Sequence, residues 1–189
     1  MKLAVLASAL AAALLLAACN RDEPASMPAP FALTQEAMGH YCGMNLLEHP
    51  GPKGQIILKD IPAPIWFSSV RDAVSFTLLP EEPKDIAAIY VSDMGQAPSW
   101  DKPGGENWID ARTAFYVIGS ALRGGMGAAE AVPFATQEAA RQFAGKHGGQ
   151  VVGFADIPAD YVLGGEAANP GEGSEPALEK GGGPEHHHG

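Results

Sequence analysis

Phe67-Ser-Ser-Val-Arg-Asp-Ala-Val-Ser-Phe76 can be laid on Phe134-Ala-Thr-Gln-Glu-Ala-Ala-Arg-Gln-Phe143. Both stretches carry Phe at each end, a hydroxyl residue third (Ser69, Thr136) and Ala seventh (Ala73, Ala140). A hydroxyl at that place caps a helix by accepting from the free amides of its first turn, so each stretch predicts a short capped helix. Strand-like sequence precedes both. Residues 55–58 and 64–67 stand before the first helix, and residues 113–118 and 131–134 before the second. After each helix comes a further apolar run ending in Asp, 86–93 and then 150–156. Each half therefore reads β-β-α-β. Agreement between local signals and element order favours a duplication. The expected fold class is α+β: two small tandem ββαβ lobes, residues 36–98 and 99–163, packed as one compact unit.

The flanks differ in kind from this core. Lys2 is followed by an apolar run from Leu3 to Ala18 that only Ser8 interrupts, the layout of a secretory signal over residues 1–18. The run is shorter than the roughly 20 residues that span a bilayer. It ends in Leu16-Ala17-Ala18-Cys19, which resembles the lipobox of bacterial lipoproteins, where the chain is cut before the Cys and the thiol is acylated. Asn20 rather than Asp follows, which by the enterobacterial sorting preference points to the outer membrane. Residues 19–35 then read as the lipidated Cys19 and a Pro-bearing flexible linker. From Gly164 onward Gly, Glu and Pro dominate and Leu178 is the one large apolar residue, so residues 164–189 read as a disordered acidic tail ending in a His triplet. The formal charge of −10 argues against nucleic acid as a partner, since that binding rests on Lys and Arg against phosphate.

Cysteine arithmetic draws attention to Met38-Gly-His40-Tyr-Cys42-Gly-Met44. The chain holds two cysteines. If Cys19 is acylated, Cys42 has no partner, and the periplasm is oxidising. A lone thiol there must be buried, paired with another chain or protected by a ligand. In an extended segment, His40, Cys42 and Met44 would point to one side. Thiolate and thioether are soft donors that suit Cu(I), with imidazole as an acceptable companion. Zinc would ask for further thiolates or imidazoles. A Cys-x-x-Cys redox pair and a haem-attachment motif are both missing. Met94 and Met126 sit in glycine-bearing turns, Ser92-Asp-Met-Gly95 and Gly124-Gly-Met-Gly127, and are further candidate thioethers. His186, His187 and His188 form an auxiliary candidate for a divalent ion.

The segment from His40 through Cys42-Gly-Met44 to Gln55 resembles the signature of the NosL family, copper-binding lipoproteins of nitrous-oxide reductase maturation. Tyr116-Val-Ile-Gly-Ser120, Gly124-Gly-Met-Gly127, Val132-Pro-Phe134 and Phe143-Ala-Gly-Lys-His-Gly-Gly149 fit the same family, and the likeness runs from about residue 36 to residue 158. The resemblance implies two ββαβ lobes, akin to part of the organomercurial lyase fold. It implies Cu(I) as the bound ion, with Cys42 as the thiolate ligand and Met44 and Met126 as thioethers. It also implies, as partners, nitrous-oxide reductase and an ABC-type maturation complex with a periplasmic solenoid subunit. Three rivals stand beside a delivery role. An enzyme with a Cys nucleophile lacks any activating motif. A purely structural lipoprotein has no use for an unpaired thiol beside methionines. A copper sponge or sensor shares all the ligand chemistry and differs only in having no dedicated recipient.

Overall fold

The computed structural model describes residues 27–164. The signal sequence, Cys19 and the His triplet lie outside the described residues. Two antiparallel sheets, each with a helix, make up the fold, and the two halves repeat the same plan. In the first, β1 (Gly54–Leu58) pairs with β2 (Ile65–Phe67) on one side and β3 (Ile86–Ser92) on the other. In the second, β5 (Phe115–Ile118) pairs with β6 (Val132–Phe134) and with β7 (Gln150–Gly153). The earliest strand of each unit is thus central and the next two flank it, so the two ββαβ units match in topology as well as in element order.

The helices fall where the caps place them. Ser69 accepts from the Asp72 amide and starts α1 (Val70–Leu78). Thr136 accepts from the Ala139 amide and starts α2 (Gln137–His147). In α1 the residues Val70, Ala73, Val74 and Phe76 are buried, the spacing of a helix that lays one face on a sheet. Some boundaries differ from the sequence reading. The last strand ends at Gly153 rather than Asp156, because Phe154–Asp156 folds into a 3-10 turn closed by the Ile157 amide on the Phe154 carbonyl. β3 stops at Ser92. Asp93 turns its carboxylate to the amides of Gly95 and Ala135, so it serves a corner rather than a ladder.

Two elements were not anticipated. β4 (Trp108–Asp110) lies in the second half of the chain but pairs with β3, giving a four-stranded sheet of order β2-β1-β3-β4. A short α3 (Ala159–Leu163) packs on α1, where Arg71 Nε and Ser75 Oγ both donate to the Val162 carbonyl at 3.0 Å. The main core crosses between the halves, with Ile56, Phe67, Val70 and Phe76 meeting Tyr116, Ile118, Ala131, Ile157 and Tyr161. A smaller cluster lies under α2 around Val117, Val132, Phe134 and Ala140.

Candidate metal centre

Residues 37–46 form a tight hairpin packed against β2 and α1. Met38 bridges Asn45, the Gly39 amide donates to the Met44 carbonyl at 2.9 Å, and the Leu46 amide to the Ala37 carbonyl at 3.0 Å. At the tip the Gly43 amide closes on the Gly39 carbonyl at 2.8 Å, and Gly43 takes a φ of +64°, which an L side chain would resist. The expected extended row of His40, Cys42 and Met44 therefore does not form. Residues 40–43 turn instead, and alternation of faces holds only along a strand.

The turn sends its side chains to different places. Cys42, a half-buried free thiol, folds back over Gly39, whose missing β-carbon makes the room. Its Sγ donates to Ser68 Oγ at 3.6 Å. Ser68 is buried and directly precedes the cap of α1, so the sulfur rests at that helix's start. His40 goes to the other flank. Its ring packs on Tyr41, Phe67 and Phe76 with centroids 4.8 to 5.8 Å away, and its Nε2 lies 3.5 Å from Glu82. Tyr41 donates its hydroxyl to the same Glu82 oxygen at 2.9 Å, and burial together with that carboxylate pushes its phenol pKa upward.

The methionines divide in the same way. Met38, Met44 and Met126 are 49%, 38% and 54% exposed, so these three residues stand at the surface. Met94 instead packs against the small cluster under α2, beside Val132 and Phe134, with its amide bound to the Pro133 carbonyl. Met126 tops a second hairpin-like loop. Arg123 bridges Ala129, the Gly124 amide donates to the Ala128 carbonyl, and the Gly127 amide to the Gly124 carbonyl.

This second loop leans on the first loop's support. A β-carbon at Gly124 would stand 3.7 Å from Ser69 Cβ, next to the Ser68 that holds Cys42. A β-carbon at Gly125 would collide with the His49 side chain and stand 3.1 Å from the Pro50 carbonyl. Structure thus brings the Cys42-Met44 hairpin and the Met126 loop to one end of α1, while His40 and Met94 face other neighbours. Among the described residues no three His, Cys, Asp or Glu side chains gather into a potential metal cage. A metal reading of this end of the molecule rests on sulfur donors, a soft set.

Sequence reasoning missed the groups beneath the two loops: Ser68, Lys53, Glu130 and His49. Lys53 and Glu130 are each about 1% exposed. The signal available was weak: a Glu directly before the apolar run 131–134 and a Lys directly before the apolar strand 54–58.

The NosL family model matches residues 30–162. The copper-binding lipoprotein NosL of Achromobacter cycloclastes is 54% identical over 154 residues, covering 81% of this chain and 79% of that protein. Its counterpart from Stutzerimonas stutzeri is 38% identical over 150 residues, covering 79% and 76%. The crystal structure of the copper chaperone NosL from Shewanella denitrificans aligns at a TM-score of 0.64 and 36% identity, over 68% of this chain and 94% of that one. With the duplicated fold, the cysteine hairpin and the methionine loop all in place, the chain belongs to the NosL family.

Proposed function

We propose that this chain binds Cu(I) through Cys42, with Met44 and Met126 as thioether ligands, and delivers it for assembly of nitrous-oxide reductase. The observation that carries the reading is an unpaired, half-buried thiol on one loop, with exposed thioethers on that loop and on a second loop leaning against the same helix start. The relatives' names, copper-binding lipoprotein and copper chaperone, point the same way. His40 is turned to Glu82 and Met94 packs in a core, so the three sulfurs are the favoured set and the two others stand in reserve. Such a set binds Cu(I) without wrapping it completely. An acceptor's donor then enters before the last carrier ligand leaves, and transfer proceeds by exchange rather than by release to water. The role is binding and delivery, not catalysis. Acylation at Cys19 would hold the domain at a membrane facing the periplasm, in the outer membrane by the sorting preference, on a tether shorter than the expected 19–35, because the backbones of Pro28, Phe31 and Leu33 are bonded to Tyr90, Gln55 and Gly105 of the domain. The recipients in this reading are nitrous-oxide reductase and its ABC-type maturation complex. A sponge or sensor is the alternative.

The deciding experiment replaces Cys42 by Ser, which keeps the size but offers only a hard oxygen. A competition titration with a Cu(I) chelator is expected to show binding lost in Cys42→Ser, and Zn(II) far weaker than Cu(I) in the parent. Cells carrying Cys42→Ser under copper limitation are expected to make copper-deficient nitrous-oxide reductase while tolerating copper normally. Copper-sensitive growth with a fully loaded reductase would establish the sponge instead.

A further inference from the structure

Glu130 is completely buried, and among the described residues no cation forms an ion pair with it. Its Oε1 accepts from the Arg71 amide and from its own neighbour Ala131, both at 2.9 Å, while its Oε2 has no partner among the described residues. Burying a carboxyl in this way is costly unless the structure uses its bonds. The Arg71 amide belongs to the first turn of α1, one of the free donors that a helix start leaves over, and Ser69 has already taken the Asp72 amide. Glu130 therefore completes the capping of α1 from the other half of the chain. Its second oxygen lies against the base of the Met126 loop, where a β-carbon at Gly124 would come within 2.7 Å of Oε2. The loop's other side rests on His49, Pro50 and Gly51. Lys53, equally buried, gathers that segment by donating Nζ to the carbonyls of Pro50 (3.1 Å) and Gly51 (2.6 Å).

We infer that Glu130, seconded by Lys53, is the positioning residue that holds the Met126 loop against the helix start carrying Cys42. The inference rests on the copper reading for its purpose, though the juxtaposition itself needs no metal. One carboxyl oxygen holds the α1 start and the other abuts the loop base. Ser68 and Ser69 pass the same alignment to the thiol on one side and to Gly124 on the other. Burial pushes the Glu130 carboxyl up to about 8, against the pull of its two amide bonds and of Lys53. At neutral pH it thus acts as a neutral, shape-bearing group, and a neutral amide of the same outline is expected to replace it.

The test uses the full chain with Cys19→Ser, so that Cys42 is the one native thiol. In the metal-free protein carrying Met126→Cys, a short bis-thiosulfonate reagent is expected to bridge positions 42 and 126. Glu130→Ala is expected to slow that bridging about tenfold and, with Met126 intact, to weaken Cu(I) about tenfold against a chelator. Glu130→Gln, which keeps an oxygen to accept from the Arg71 and Ala131 amides, is expected to restore both. Gly124→Ala, which pushes on the same contact from the loop side, is expected to reproduce the Glu130→Ala result should the latter fold poorly. Equal bridging rates in the parent, Glu130→Ala and Gly124→Ala, or no bridging in the parent, would overturn the inference. Normal bridging in Met126→Cys beside a failure of the protein with Met126 intact to hold Cu(I) would overturn the copper reading and leave the positioning role standing.

Discussion

Gly39 lies directly beneath the Cys42 sulfur, and the thiol's place on Ser68 depends on there being no side chain in between. Gly39→Ala drives a methyl group into collision with Sγ, so either the thiol swings out or the hairpin lifts off β2. Overpacking of that kind costs about 1–3 kcal/mol. The expected outcome is faster alkylation of Cys42 in the metal-free protein and Cu(I) binding weakened about tenfold. Unchanged alkylation together with unchanged affinity would mean that the resting place of the thiol does not matter to the site. His40 offers a contrast at the same scale. Its neighbours Glu82 and Phe76 are far along the chain, so no reading of the 38–44 segment alone discloses that the ring is occupied.

At the scale of elements, the two caps separate stability from function. Ser69 and Thr136 play the same part at α1 and α2, each accepting from the third amide of its helix. Removing either hydroxyl by substitution to Ala is expected to cost about 1 kcal/mol, read in a denaturant titration. Only α1 supports the cysteine hairpin and the Met126 loop. Ser69→Ala is therefore expected to weaken Cu(I) as well, while Thr136→Ala leaves the affinity unchanged. Equal effects of both substitutions on copper would show that the site responds to overall stability and not to the start of α1. Both helices were readable in advance because a cap and a spaced apolar face act within one or two turns. β4 was not, since three residues of modest burial become a strand only when β3 offers them a free edge.

For the whole molecule, the buried Lys53 and Glu130 give stability an unusual pH profile. Burial raises the Glu130 carboxyl from 4.5 to about 8 and lowers the Lys53 ammonium from 10.5 to about 8. Between 4.5 and about 8 the folded protein keeps a carboxyl proton that the unfolded chain has released, so stability falls as pH rises. From about 8 toward 10.5 the unfolded chain holds an ammonium proton that the folded state lacks, so stability climbs again. Asp72, which also faces Glu130 and is raised by its own burial, adds to the acid-side fall. The buried tyrosines, all shifted upward, turn the curve down once more at the alkaline end. Denaturant titrations across this range are expected to show a trough near pH 8. Glu130→Gln is expected to flatten its acid arm and Lys53→Met its alkaline arm. A profile flat through that region would mean that neither group is as desolvated as its burial requires.

From the sequence by itself came the two helices with their caps, the order of elements within each ββαβ unit, the duplication and the unpaired Cys42 among methionines. Each of these is written in neighbouring residues: hydroxyl spacing, apolar periodicity, cysteine count. Family resemblance implied Met44 and Met126 as thioether companions of Cys42, which the bare spacing left open. Only the tertiary structure decided that the 39–43 segment turns rather than extends, that Met94 enters a core, that β4 completes the first sheet, and that Glu130 braces α1 from 59 residues away. The physical reason is common to all four. Local preferences fix a backbone conformation over a few residues, but the depth of a side chain and the partner of a buried carboxyl are set by segments that meet only when the two halves close over one core.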